Sequence, residues 1–188
     1  MSEKNAFLDA TAEVEDLNQY WYSAPTLETL VAECTGWRCA CVSTPSVFFS
    51  LDDETRAKSA VLDLDEQWRG VAGYYRYDFN APAQLDGCPS GAFDMVVIDP
   101  PFIDEKVWAL YAETALALLD PAGPRRILCT TIKENEDALS RLFSDVGGCT
   151  ARTWMPKIPN LVYQYSVHTN YDSERLEEAN PEVPPLSP

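Results

Sequence analysis

The chain has 188 residues and a formal net charge of −16 at pH 7, with 30 acidic and 14 basic side chains. This length suits one domain with a sizeable hydrophobic core. The excess of acid disfavours nucleic acid as a partner, because phosphates require positive charge, and favours a basic protein. About half of the charge lies in the two ends, residues 1–16 and 172–188.

Targeting signals, disulfides and metal sites are not expected. The chain has no run of about 18 apolar residues, and its acidic beginning lacks the features of a signal peptide, so we predict a cytoplasmic protein without a membrane span. Its six cysteines form no Cys-x-x-Cys pair, and His168 is the only histidine. Buried reduced thiols, no metal and a surface or hydrogen-bonded strand histidine are therefore expected.

Strand-like and helix-like segments alternate along the chain. An acidic, weakly ordered arm is predicted at 1–16, a folded domain at 17–172 and an acidic, proline-rich tail at 173–188, disordered from 182. The pattern predicts helices at 26–34, capped by Thr26, at 104–119 and at 133–143. Strands are predicted at 38–43, 60–64, 74–77, 95–98, 126–130, 150–154 and 162–169. This order predicts an α/β fold: a doubly wound, mostly parallel seven-stranded sheet, Rossmann-like, with a C-terminal antiparallel hairpin.

The most informative motif is a turn of four residues after the strand at 95–98. Asp99, Pro100, Pro101 and Phe102, here called the Pro-Pro turn, place a carboxylate, a free backbone carbonyl and a ring at the end of a buried strand. Proline cannot continue a central strand, because it has no N–H and its φ is fixed. Such a turn can hold an amino group by two acceptors, as methyl transfer to nitrogen requires.

Polar groups also follow the three preceding strands. They are Ser43, Thr44, Pro45 and Ser46 after the first strand, Asp63 and Asp65 after the second, and Asp78 and Phe79 after the third. Carboxylates at these ends suit ribose hydroxyls and an adenine amino group. Taken singly, each acid is also typical of a helix cap or a solvated loop, and Trp21 and Tyr22 are equally consistent with core aromatics. The chain lacks a dinucleotide-binding fingerprint and a P-loop.

Together these motifs, with Gln19–Ser23 before them and Asn170–Asp172 after them, resemble the N6-adenine methyltransferase-like family. Its members are regarded as lysine methyltransferases of translation elongation factor 1-alpha. The resemblance spans about 19–172 and implies a class I fold that uses S-adenosylmethionine. Its catalytic residues would be Asp99, Pro100, Pro101 and Phe102.

The cofactor contacts that the resemblance implies follow the same order. Trp21, Tyr22 and Ser23 would close over the cofactor, and Ser43, Thr44, Pro45 and Ser46 would face its methionine part in place of a glycine-rich loop. Asp63 with its neighbour Asp65 would meet the ribose, and Asp78 and Phe79 the adenine.

The predicted activity is methylation of a lysine, with translation elongation factor 1-alpha as the basic protein substrate and with no membrane or nucleic acid as partner. A monomer is expected. The alternative is an adenine-N6 methyltransferase acting on RNA or DNA, which would need a basic surface. A third possibility is a module of the same fold that binds a partner without catalysis, which the complete Pro-Pro turn argues against.

Overall fold

The computed structural model describes residues 5–85 and 87–184, which form one seven-stranded sheet. The strand order is β3-β2-β1-β4-β5-β7-β6. The strands are β1 Cys39–Val42, β2 Ala60–Asp63, β3 Tyr74–Arg76, β4 Met95–Ile98, β5 Arg126–Thr131, β6 Thr150–Ala151 and β7 Ser166–Thr169. The first five are parallel, and β7 runs antiparallel between β5 and β6. The predicted fold class and its antiparallel C-terminal pair are confirmed.

Helices cover both faces of the sheet, which explains why β1, β2 and β4 are continuous apolar runs buried along their whole length. The helices are α1 Ala6–Ala10, α2 Ala24–Cys34, α3 Pro45–Ser50, α4 Asp53–Ala57, α5 Glu105–Leu118 and α6 Glu136–Leu142. One core includes Trp108 and Tyr111 of α5, and the opposite core includes Leu27 and Leu30 of α2. The sheet is therefore rigid where its strands end.

Helix starts depend on side chains that accept hydrogen bonds from the first turn. Asp104 caps α5 by accepting from the Lys106 N–H at 2.7 Å. Helix α2 is capped by Ser23 and not by Thr26, which lies inside the first turn. The prediction failed there because Ala24-Pro25, although compatible with a first turn, has no periodic apolar pattern.

The last two strands are shorter than predicted. Strand β6 ends at Ala151 and β7 begins at Ser166, so residues 152–165 form a loop. Pro156 cannot donate to a ladder. The Gln164 side chain provides hydrogen bonds in place of strand pairing, because its Nε2 donates to the carbonyls of Pro156 and Tyr165 at 3.0 and 2.8 Å. Val162 and Tyr163 consequently lie outside the sheet and are exposed.

Both ends of the described chain pack against the domain, contrary to the expected weak order. Phe7 of α1 is buried and its ring lies edge-on to Trp21, with centroids 5.1 Å apart. Leu176 and Val183 are buried near the other end. Apolar side chains spaced among the acids supply this packing. The predicted disorder of 182–188 is wrong for 182–184, and residues 185–188 and 1–4 lie outside the described residues.

The cysteines are free and buried, as predicted. His168 is fully buried in β7 opposite Cys129, so it is not a surface histidine. Burial lowers the pKa of His168 to about 4. Within 5–85 and 87–184, no helix is long and apolar enough to cross a membrane, and no three His, Cys, Asp or Glu side chains cluster as a metal site.

Candidate active site

A cleft opens where β1, β2, β3 and β4 end, at the edge of the sheet at which open α/β folds bind ligands. With its open mouth included, its volume is about 1000 Å³. The predicted residues on its surface are Trp21, Ser43, Pro45, Asp63, Asp78, Phe79, Asp99, Pro100, Pro101 and Phe102. Four separate strand ends therefore converge on one site.

Five residues predicted to contact the cofactor lie behind the cleft surface. Ser23 caps α2 and donates to the Glu182 carboxylate at 2.6 Å. Thr44 and Ser46 are buried at the start of α3, and Asp65 caps the 3-10 helix Glu66–Trp68. Tyr22 is buried, but its hydroxyl donates a hydrogen bond to Asp99 of the Pro-Pro turn. Any role of these residues in cofactor binding stays a prediction.

Ser43 lies in the turn between β1 and α3. Its φ is +54°, in the left-handed region that glycine enters most easily. The Ser43 N–H donates to the Leu62 carbonyl at 2.8 Å, and its hydroxyl lies 2.7 Å from the Tyr111 hydroxyl. These contacts hold a turn without glycine, and Pro45 then starts α3.

Asp99 is partly buried, and one of its oxygens is held by Tyr22. The Tyr22 hydroxyl donates to Asp99 Oδ2 at 2.6 Å and lies 2.6 Å from the Thr130 hydroxyl. Burial raises the pKa of Asp99 to about 7, although these hydrogen bonds act in the opposite direction. The carboxyl therefore changes charge near neutral pH, as active-site groups often do.

The two acids beneath the other strand ends differ in environment. Asp63 is 8% exposed, and burial raises its pKa to about 6, while its Oδ1 accepts from the Asp65 N–H at 2.9 Å. The pKa of Asp78 lies below its usual value, because the backbone and side chain of Asn80 donate to it. Asp78 is thus an ionised hydrogen-bond acceptor at neutral pH. Asp63, with a pKa of about 6, takes up a proton at a pH only slightly below neutral.

The carbonyls of the Pro-Pro turn are not equivalent. The Pro101 carbonyl accepts a hydrogen bond from the Asn18 side chain. Among the described residues, none donates to the Pro100 carbonyl. Asp99 Oδ1 and the Pro100 oxygen are consequently among the acceptors that the turn leaves for a bound amino group.

Aromatic rings form one wall of the cleft. Phe102 is 52% exposed, and its ring lies edge-on to Phe79, with centroids 6.2 Å apart. Phe79 in turn lies 5.8 Å from the Tyr111 ring. An exposed ring that is supported from behind can contact a ligand without first moving.

The charge of the lining is one-sided. Asp16, Asp63, Asp78 and Asp99 line the cleft, and no Lys, Arg or His side chain does so among the residues that the structure describes. Carboxylates and ring faces attract cations. This set of carboxylates and aromatic rings fits a sulfonium cofactor and an ammonium substrate, and it repels a phosphate group.

Sequence reasoning missed several residues of the site. They are Asp16, Leu17, Asn18, Gln19, Tyr20, Leu64, Tyr77, Tyr111, Ile158, Leu161 and Tyr165 on the lining, and Thr130 behind Asp99. Tyr111 belongs to the apolar face of α5, so its spacing in the sequence predicted only that it lies in the core. Gln19 stands beside Trp21, but only the fold shows that its side chain donates to Asp65 at 2.9 Å.

Comparison with known proteins decides the family. Residues 13–173 match the family described as "Probable N6-adenine methyltransferase". The chain belongs to this family. It is 32% identical to "EEF1A lysine methyltransferase 1" of Mus musculus and 34% identical to the protein of the same name in Gallus gallus. Both matches cover 84% of this chain, and they cover 74% of the mouse protein and 75% of the chicken protein. It is also 24% identical to "Protein-lysine N-methyltransferase EFM5" of Saccharomyces cerevisiae, over 83% of this chain and 71% of that protein.

Solved structures agree on the fold of this family member. A predicted O-methyltransferase of Agrobacterium tumefaciens superposes with a TM-score of 0.53 and 16% identity, covering 77% of each chain. A "putative RNA methyltransferase" of Pyrococcus horikoshii gives a TM-score of 0.52 and 12% identity, covering 85% of this chain and 86% of the other. The protein therefore has the fold of these methyltransferases. The acidic, partly aromatic cleft suits a cationic methyl donor.

Proposed function

We propose that this enzyme methylates the ε-amino group of a lysine in translation elongation factor 1-alpha. The observation that carries the proposal is the lining of the cleft, with four carboxylates and no basic side chain among the described residues. Such a cleft attracts an ammonium group and repels a nucleic-acid backbone. The names of the relatives in mouse, chicken and yeast support a protein lysine as the acceptor.

The reaction requires a lysine nitrogen with a free lone pair. A lysine has a pKa of about 10.4, so it arrives as a cation, which Asp99 and the Phe102 ring would attract. S-adenosylmethionine supplies an electrophilic methyl group on its sulfonium. The C–N bond forms as the S–C bond breaks, and the sulfur leaves as the neutral thioether.

Asp99 Oδ1 and the Pro100 carbonyl would each accept one hydrogen of the neutral amine. With two hydrogens held, the lone pair has one remaining direction, and this positioning supplies much of the rate. The proton of the ammonium leaves to bulk solvent, and Asp99 serves as a hydrogen-bond acceptor that orients the neutral amine.

The cofactor positions follow from the strand ends, and they are part of the proposal. Asp63 would accept the ribose hydroxyls, Asp78 the adenine amino group, and Phe79 would cover the adenine ring. Ser43 and Pro45 would face the methionine part, and Trp21 would close one side. A cytoplasmic, monomeric enzyme remains the expectation.

Methylation of a lysate with labelled S-adenosylmethionine, with and without nuclease, tests the proposal. We expect a labelled protein band of elongation-factor size that survives nuclease, and the same product with the purified factor. Asp99→Ala should abolish this label while calorimetry shows unchanged cofactor binding. Label that disappears with nuclease would establish the adenine-N6 alternative instead.

A further inference from the structure

A second concave surface lies beside the cleft on the same edge of the sheet. It is here called the side groove, and its apolar floor and walls are Ile103, Ile132, Met155 and Tyr163. These residues follow β4, β5 and β6 and precede β7. With its open mouth included, the groove has a volume of about 1760 Å³.

The groove and the cleft are lined by neighbouring residues of the chain. Phe102 lines the cleft and the next residue, Ile103, lines the groove. In the same way, Tyr165 lines the cleft, whereas Tyr163 and Gln164 line the groove. A substrate segment that extends from Asp99 past Phe102 therefore meets the groove next.

The boundary carries the most exposed large apolar side chains of the described residues. Val162 is 92% exposed, Tyr163 is 62% exposed and Phe102 is 52% exposed. An apolar rim next to a reactive cleft is typical of an interaction site. Because these apolar side chains are so exposed, covering them with a partner would bury much apolar surface and contribute favourable free energy to binding.

The loop that presents Val162 and Tyr163 is fixed and not frayed. The Gln164 side chain joins its two ends by donating to the Pro156 and Tyr165 carbonyls. Asn160 donates to the Glu13 carboxylate at 2.8 Å, and the Leu161 N–H donates to the Ile158 carbonyl at 3.2 Å. The exposed side chains are thus held in place before any partner binds, which reduces the entropy lost on binding.

We propose that the side groove and the Val162–Tyr163 rim bind the segment of the protein substrate that flanks the target lysine. This inference rests on the proposed function. The occupant is an extended segment with an apolar side chain close to the lysine. Charge alone does not select it, because two basic and two acidic residues line the groove: Lys133, Arg152, Glu134 and Glu136. The acidic cleft attracts the lysine, and the groove binds the residues that flank this lysine in the substrate.

Val162→Ser and Tyr163→Ser, singly and together, test this surface. Both side chains are exposed, so folding should be unaffected. We expect each variant to raise the KM for translation elongation factor 1-alpha about tenfold, the value for losing one well-buried apolar contact, with kcat and the cofactor Kd within about twofold of wild type. Val71→Ser is the matched control, since Val71 is an exposed valine just before β3, at the far end of the sheet.

The outcomes separate the surface from the substrate. Unchanged KM values in both variants, or an equal rise in the Val71→Ser control, would overturn the docking surface even if the wild type methylates the factor. Failure of the wild type to methylate the factor would overturn the proposed substrate. Methylation of a different protein with the same KM pattern would then retain the surface. Weaker RNA binding without a change in protein KM would also overturn it.

Discussion

The Tyr22 hydroxyl donates a hydrogen bond of 2.6 Å to Asp99 Oδ2 across 77 residues of sequence. A phenol has one proton, so the Thr130 hydroxyl, 2.6 Å away, must donate to Tyr22. Burial and the nearby Asp99 charge raise the pKa of Tyr22 well above its usual value, which keeps it a neutral donor at every assay pH. The chain Thr130–Tyr22–Asp99 thereby fixes one carboxylate oxygen and leaves Oδ1 for the substrate.

Tyr22→Phe should reduce kcat by about 10- to 100-fold, the range for removing a hydrogen bond to a charged group. Without the donor, the pKa of Asp99 rises further above about 7, so the acidic limb of the pH–rate profile should move to higher pH. Tyr77→Phe is the control, because the Tyr77 hydroxyl pairs with Thr114 at 2.8 Å and not with Asp99. Identical pH profiles for the two variants would refute the role of Tyr22.

As the pH is lowered through about 7, the fall of wild-type kcat/KM should steepen by one proton, beyond the fall that protonation of the substrate lysine, with a pKa of about 10.4, already causes. The reason is that protonated Asp99 no longer accepts from the amine or attracts the ammonium form. Asp99→Asn should leave little activity and no such steepening. Steady-state rates between pH 5.5 and 9 check this, and a wild-type profile with one constant slope over that range would contradict it.

The same carboxyl should cost folding stability at alkaline pH. Its pKa is about 7 in the folded protein and about 3.9 in an unfolded chain, so ionisation disfavours the folded state above about pH 4 and fully above 7. Asp99→Asn should therefore raise the melting temperature at pH 8, and the gain should shrink as the pH falls towards 4. A calorimetric gain that is constant with pH would show that Asp99 is not the group involved.

Asn18→Asp should weaken catalysis by loosening the Pro-Pro turn. The change keeps the size of a side chain at φ +53° but replaces the amide donor with a carboxylate facing the Pro101 carbonyl. We expect a fall of about tenfold in kcat/KM, as for one lost hydrogen bond that also becomes repulsive. A kcat/KM within about twofold of wild type would show that the Asn18 contact does not position the turn.

Phe102→Ala should affect substrate use more than folding. Because the ring is 52% exposed, its loss should change the free energy of unfolding by less than about 1 kcal/mol. The KM for the protein substrate should rise about tenfold if the ring holds an ammonium group, and Phe102→Tyr should restore it. Melting curves and steady-state kinetics on the same preparations decide, and equal KM values in Phe102→Ala and wild type would exclude the ring from substrate binding.

The sequence alone determined the fold class, the family and the position of the Pro-Pro turn at the end of a buried strand. These follow from local rules: apolar runs such as Met95–Ile98 must become buried strands, and two prolines must end them. Parallel strands then bring their polar ends to one edge, so Asp63, Asp78 and Asp99 could be expected together.

Only the tertiary structure decided which of these polar residues face the cleft. Asp65, Ser23 and Ser46 share the residue types of their neighbours, but capping and burial turn them away. It also decided that Tyr22 and Thr130 meet Asp99, and that Val162 and Tyr163 leave the sheet. The physical reason is range: periodicity and turn chemistry act over a few residues, whereas these contacts join segments up to 108 residues apart that meet only when the core packs.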